Sequence, residues 1–352
     1  MTIPASGTVE GVPLLTVVVP AYNAERHLAR ALGGLGDVQG LEVIIVDDGS
    51  TDRTGILADR WADRYPERLR VVHQENRGHG GAINTGVAAA RGAFVRVLDA
   101  DDWLDRRALD ALLAVLAASE ASAEGVDAVF TDFVHERHGK SARTARFDTV
   151  FPEGRVFAWS DTERFLRRQV LMMHAIVYRT ALLRRIGLRL PEHTFYVDNL
   201  FVMQPLVHVR RMRYVPVPLY RYYIGRAGQS VAPEVMVARV DEQLRVNRLA
   251  LASLPDPQAV ARDGMPDELH RALVHHLEGV CAVTSATLAR GGSPQHLAER
   301  ARFWREVRES SPWLYTRMRR SLIGATSNLP GQAGRRATSL VYLVVRRVVG
   351  FS

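Results

Sequence analysis

Four short stretches carry the residues that could do chemistry. The densest is Leu98-Asp99-Ala100-Asp101-Asp102-Trp103, with three carboxylates in four positions. Such acids repel one another unless something neutralises them, and a hard divalent cation does so while bridging phosphate oxygens. A capped turn with solvated acids is the plainer alternative. A second acidic stretch is Asp47-Asp48-Gly49-Ser50-Thr51-Asp52. Its side chains can accept hydrogen bonds from a base N–H or from ribose hydroxyls. Ser50, Thr51 or Asp52 also suits a helix N-cap, so Asp48 for a ligand and Asp52 for capping are compatible. In Asn76-Arg77-Gly78-His79-Gly80-Gly81-Ala82 the glycines admit close backbone approach ahead of a helix start that favours anions. A diphosphate fits there, and so does a turn without ligand. Pro20-Ala21-Tyr22-Asn23 has none of the glycines that a dinucleotide site needs after the first strand, which argues against NAD or FAD. Tyr22 can pack on a flat base or simply on the rim of the fold.

Each of these stretches follows an apolar run. Leu14–Val19, Leu41–Val46, Leu69–His73 and Ala93–Leu98 read as strands, and Asp127–Phe133 as a fifth. Ala24–Leu35, Thr54–Tyr65, Ala82–Ala90 and Leu104–Ala118 read as helices between them. Continuous apolar strands alternating with helices predict an α/β fold, a mainly parallel sheet with helices on both faces. In such sheets ligands sit beyond the carboxyl ends of the strands. The polar segment His135–Thr149 reads as an exposed excursion. A helix near Thr162–Arg168, an apolar run Val170–Tyr178, a short helix Thr180–Ile186, a helix Tyr196–Val209 and a strand Tyr214–Tyr223 follow. From Pro233 helical patterns dominate: Val235–Leu254, Asp267–Ala289 and Pro294–Arg308. The reading is a catalytic domain over 1–232 and a helical region over 233–352, suited to acceptor, oligomer or membrane contact.

The composition is that of a globular protein of about two domains: 352 residues, 47% hydrophobic and 24% charged. The lone Cys281 excludes an internal disulfide framework and a cysteine-cluster zinc site. The net charge is +8, and its basic residues are arginines apart from Lys140. That balance favours anionic partners, while no nucleic-acid motif accompanies it. No secretory signal pattern and no spanning apolar stretch stand out. The expected place is the cytoplasm or the inner face of the membrane. Arg335–Phe351 mixes arginine with Leu, Val and Tyr, a pattern suited to anionic lipid, to a core helix or to an oligomer contact.

VVVPAYNAERHL, VIIVDDGSTDRT, ENRGHGGAINTG and ARGAFVRVLDADDWL occur in that order. Together they resemble the family 2 glycosyltransferases of the GT-A (Rossmann-like) fold, tightly over residues 14–105 and loosely over 106–230. The resemblance implies an inverting transferase that takes a nucleotide-diphosphate sugar, UDP by default, with Mn²⁺ or Mg²⁺. It implies that Pro20, Tyr22 and Asp48 surround the base and ribose, that Asn76 lies near the nucleotide, and that Asp99 and Ala100 meet ribose or sugar. Asp101 is the implied metal ligand. Relatives carry a Glu-Asp pair at a helix start where this chain has Val197-Asp198, so Asp198 is the implied base for the acceptor hydroxyl; capping that helix is its plainer role. Arg226 and Ser230 match a loop that closes over the diphosphate. Two departures stand out: Ile83 where relatives often carry arginine, and Val197 where they carry glutamate. His174 either faces the acceptor or packs in the core. The implied acceptor is a cell-envelope glycan, phosphopolymer or lipid-linked glycan. A sugar nucleotidyltransferase would want a glycine-rich basic loop in place of PAYNAE, and a non-catalytic binding protein finds support only in Ile83 and Val197.

Overall fold

Every residue from Leu15 to Ala21 is buried, as a strand covered on both faces must be. This run, β1, lies inside a parallel block with β2 (Leu41–Asp48), β3 (Leu69–Gln74) and β4 (Phe94–Val97), in the order β3-β2-β1-β4. The computed structural model describes residues 8–9, 12–122, 125–137, 139, 141–225 and 229–320. Helices α1 (Leu28–Leu32), α2 (Thr54–Arg64) and α3 (Gly78–Ala89) connect the four strands. α3 sits so close to β1 that a side chain at Gly86 would collide with Val18. Register aligns the strand ends, with Ala21 opposite Asp47 and Asp48 opposite Gln74. The four loops that follow therefore leave one edge of the sheet.

Beyond β4 the sheet continues with antiparallel pairings. The added strands are β5 (Trp103–Leu104), β6 (Ala128–Arg137), β7 (Arg143–Ala145), β8 (Ile176–Arg179) and β9 (Met212–Ile224). The full order is β3-β2-β1-β4-β8-β6-β9-β5, with β7 on β6. Helices α4 (Arg106–Ala121), α5 (Thr180–Arg185) and α6 (Asp198–Leu206) complete this part. β5 pairs with β9, Leu104 opposite Tyr220 and Trp103 opposite Arg221. The acidic turn between β4 and β5 is thereby tethered at both ends.

Three expectations are corrected. The segment after Phe133 is not simply an exposed excursion: β6 runs on to Arg137 and β7 folds back on it, with His135 buried. No helix forms over 162–168. Thr162 Oγ1 instead donates to Trp159 O at 2.7 Å and Gln169 Oε1 accepts Leu166 N at 2.8 Å, side-chain bonds that compete with helix. The helix expected over 24–35 is only Leu28–Leu32, because the second loop captures the preceding amides.

Two compact units divide the chain. One comprises the residues through Glu163 with Leu171–Tyr223, the other Arg164–Val170 with the residues from Ile224 onward. The second unit is helical: α7 (Pro233–Ala238), α8 (Val240–Ala252), α9 (Pro257–Asp263), α10 (Asp267–Gly291), α11 (Pro294–Ser310) and α12 (Pro312–Arg320). α10 stops at Gly292, whose φ of 65° suits a glycine stop. Ser293 then caps α11 by accepting His296 N at 3.1 Å. Asn247 donates to Thr284 Oγ1 at 2.9 Å, which satisfies polar groups buried between α8 and α10. No described helix is long and apolar enough to cross a membrane. Residues 335–352 lie outside the described residues.

At the opposite end of the parallel block Glu42 is buried in β2. Burial favours its neutral form, yet five hydrogen bonds from Thr16, Arg70 and Arg91 hold the carboxyl below its ordinary range. Its stabilising contribution is therefore present above the ordinary carboxylate range and is lost as pH falls through the depressed value. Glu42→Gln is expected to cost about 2 kcal/mol in urea unfolding at pH 7, and the gap to wild type should narrow in acid.

Candidate active site

Side chains lock the four loops to one another. Asn23 takes a left-handed backbone, φ 49°, and its Oδ1 accepts Thr51 N at 2.8 Å. In return Ser50 Oγ accepts Asn23 N at 3.1 Å and Thr54 Oγ1 accepts Ala24 N at 2.7 Å. Asp52 Oδ1 accepts Thr54 N at 2.9 Å at the start of α2, and its Oδ2 accepts Glu25 N at 3.2 Å. Ser50, Thr51 and Asp52 thus build the frame of the first loop. Tyr22 stays 53% exposed beside it, while Pro20 is buried within β1.

Asp48 is buried. Its Oδ1 accepts Gln74 Nε2 at 2.6 Å and Arg77 N at 2.8 Å, and its backbone oxygen accepts Asn76 Nδ2 at 3.0 Å. One Asp48 oxygen and the Asn76 amide thus tie the second loop to the third. Gly49 needs its φ of 71°, and a side chain there would crowd Asn76 N at 2.8 Å. Behind this pair His73 bridges Asp47 at 2.9 Å and Asp59 at 3.0 Å; those two carboxylates raise its pKa.

The glycines of the third loop face protein. A Cβ at Gly78 would lie 2.8 Å from the His193 backbone, one at Gly80 would strike Pro191 O, and one at Gly81 the Arg77 side chain. His193 N donates to Arg77 O at 2.8 Å. Asn84 clamps Leu190 twice, Nδ2 to its oxygen and Oδ1 from its amide, both at 2.9 Å. The close approach that the sequence suggested for a diphosphate is occupied by the segment leading to Asp198. That segment carries left-handed residues at His193 (φ 47°) and Tyr196 (φ 66°), and Asn199 Nδ2 bonds Tyr196 O at 3.0 Å as α6 begins. Strained backbone of this kind persists where neighbours hold it. Ile83 is fully buried, so this position packs and presents no charge. Arg77 pairs with Glu192 near the surface.

Docking brings Asp198 into the field of His79 and Asp99. His79 also feels Asp48. Asp99 Oδ1 lies 3.6 Å from His79 Nε2, and its Oδ2 lies 3.9 Å from His174 Nε2. Tyr220 has one proton to give. Its hydroxyl lies 2.8 Å from Asp102 Oδ2 and 3.3 Å from Asp99 Oδ2, and the Tyr220 oxygen accepts Asp99 N at 3.2 Å. Tyr223 N donates to Asp102 Oδ1 at 2.7 Å. Asp102 is shielded from water with both oxygens engaged, so it anchors the turn. Ala100 is buried, and Asp101 is half-buried with its backbone oxygen accepting Arg30 Nη2 at 2.6 Å.

The electrostatics follow from this closure. Burial pushes Asp99 up to about 6 against the Tyr220 hydroxyl. Burial also pushes Asp198 up to about 6; His79 opposes the rise and Asp99 adds to it. Asp102 goes well above the carboxylate range, by burial and by the Asp99 charge. Burial lowers His174 well below its ordinary value, with His135 and Arg96 adding to the effect. It is a core histidine, its ring stacked on Tyr222 at 4.4 Å. Ligating atoms of Asp99, Asp102 and His174 lie within 4.8 Å of one another, an acidic and histidine group able to hold a metal ion. Carboxylate oxygens are what Mn²⁺ and Mg²⁺ select, and a cation would restore the charge that burial suppresses. Ser230 is half-buried in the helical unit, and Arg226 lies outside the described residues. The roles of His79 and Tyr220 were missed at the sequence level. His79 stands in the glycine-rich loop, whereas nothing local marks Tyr220.

Residues 16–185 match the family model for glycosyl transferase family 2. The Bacillus subtilis glycosyltransferase EpsH is 29% identical over 224 residues, 60% of this chain and 61% of its own length. The match therefore spans about three-fifths of that relative. Among solved structures, S. aureus TarS 1–349 in complex with UDP superposes with a TM-score of 0.65 at 18% identity, covering 95% of this chain and 91% of that fragment. The mannosyltransferase PcManGT from Pyrobaculum calidifontis in complex with GDP-Man and Mn²⁺ gives 0.51 at 19%, covering 96% and 88%. At such identities the likeness is one of fold.

Gly80→Ala is expected to destabilise the protein by about 1–3 kcal/mol, because overpacking must push the 190–198 segment off α3. Thermal unfolding checks the loss. Limited proteolysis near Glu192 should speed up in the variant.

Proposed function

The chain belongs to glycosyl transferase family 2 through residues 16–185, and from that premise we propose that it is an inverting transferase moving a sugar from a nucleotide diphosphate to an acceptor hydroxyl. The observation that carries this reading is the convergence of three carboxylates on His79: Asp99 Oδ1 lies 3.6 Å from its Nε2, and the charges of Asp48 and Asp198 act on the same ring. Asp198 is the base. It stands at the first turn of α6, and a pKa of about 6 lets it be ionised at neutral pH yet accept a proton. Asp99 takes ribose or sugar hydroxyls. Exposed Tyr22 flanks the nucleobase, with Pro20 shaping the strand end beneath it. Asp48 and Asn76 shape the ribose side, and Ala100 keeps the turn narrow.

Asp101 would hold Mn²⁺ or Mg²⁺, which would supply charge stabilisation for the departing diphosphate when bound. Arg226 and Ser230 are assigned to the loop over that diphosphate by family resemblance. UDP is the favoured nucleotide, supported by the UDP in the TarS complex; the GDP-Man and Mn²⁺ of PcManGT support the donor class and the ion. A cell-envelope glycan, phosphopolymer or lipid-linked glycan is the acceptor that the basic balance favours, with the reaction in the cytoplasm or at the inner membrane face. The helical region from 233 onward is assigned to acceptor, subunit or membrane contact.

Asp198→Asn is expected to cut kcat about a thousandfold while UDP binding with Mn²⁺ survives. Full turnover in that variant overturns the base. In the wild type kcat/KM should climb as pH rises through about 6 and level off above, since the base works only when ionised. Asp101→Ala should lose the Mn²⁺-dependent part of the melting shift that UDP produces. An unchanged shift with and without the ion counts against the cation site.

A further inference from the structure

We propose that Arg30 is a positioning residue for the acidic turn, holding the Asp101 peptide in the geometry that binds the cation; this rests on the reading of Asp101 as a cation ligand. Arg30 lies in the last turn of α1 and is exposed as a residue, yet its guanidinium is held from three directions. Its Cζ lies 4.6 Å from the Trp103 ring centroid and 4.6 Å from that of Tyr223. Its Nη2 donates to Asp101 O at 2.6 Å. The two rings belong to paired strands, Trp103 to β5 and Tyr223 to β9. Tyr223 N in turn bonds the Asp102 carboxylate.

A bond to the Asp101 carbonyl restrains the peptide plane between Asp101 and Asp102. Asp102 is already anchored on its far side, so that plane sets where Asp101 stands. The planar fork matters: arginine can stack on rings and donate in its own plane, whereas an ammonium presents a point charge. Arg30 also links two loops. α1 follows the Asn23–Glu25 frame held by Ser50, Asp52 and Thr54, so the base side and the cation side of the site share one short helix.

The test is Mn²⁺ binding by the full chain with UDP present, read from the free-ion EPR signal. Arg30→Ala should weaken Mn²⁺ binding about tenfold, with the pH dependence of kcat/KM unchanged. Arg30→Lys should recover little of the loss. Tyr223→Leu removes one ring and keeps the Tyr223 amide bond; it should weaken binding about threefold, and it carries the test if Arg30→Ala folds poorly. Wild-type Mn²⁺ affinity in Arg30→Ala, or full rescue by lysine, overturns the proposal. Asp101→Asn separates the two readings. If it binds Mn²⁺ like wild type, the cation-ligand reading itself fails; if it loses Mn²⁺ while Arg30→Ala keeps it, only the positioning role is wrong.

Discussion

Asp102 has no contact with water, and two donors near the end of β9 take the place of its hydration: the Tyr220 hydroxyl and the Tyr223 amide. A buried carboxyl left without such partners is costly, so the turn between β4 and β5 is held against β9 for as long as the fold persists. Asp99 and Asp101 are its neighbours in the chain and inherit that rigidity. The most buried acid of the motif thereby keeps the others in place. This division among adjacent carboxylates comes from environment, since the side chains are identical.

A second constraint acts through α3. Its first turn lacks side chains at Gly78, Gly80 and Gly81, and the chain at 190–194 fills the space. With Asn84 gripping Leu190 from the same helix, a segment more than a hundred residues distant in sequence lies against the start of α3. Asp198 therefore shares a field with His79 and Asp99. Enclosure raises both Asp99 and Asp198 to about 6.

The parallel half was legible because its signals are local. Buried runs such as Leu15–Ala21 announce strands, and acids or glycines after them announce loops at one edge. The later half was less legible for physical reasons. Residues 135–149 read as polar loop from their charge, although β6 runs to Arg137, β7 pairs with it and His135 is buried. Residues 162–168 carry helical spacing, but Thr162 and Gln169 satisfy backbone groups in another way. Helix α1 is shorter than its pattern because Ser50, Asp52 and Thr54 reach across from the next loop to take its first amides.

Sequence alone determined the fold class, the family resemblance and the order of the four loops, since each depends on periodicity and residue type within a few positions. Tertiary structure decided the use of each residue. It turned the third-loop glycines from a ligand cradle into a docking surface, made Asp102 an anchor and Ile83 a core residue, and drew His79, Tyr220 and Arg30 into the site. The reason is that burial and partner distance, which set both pKa and hydrogen-bond demand, are properties of the packed chain and not of any single stretch of it.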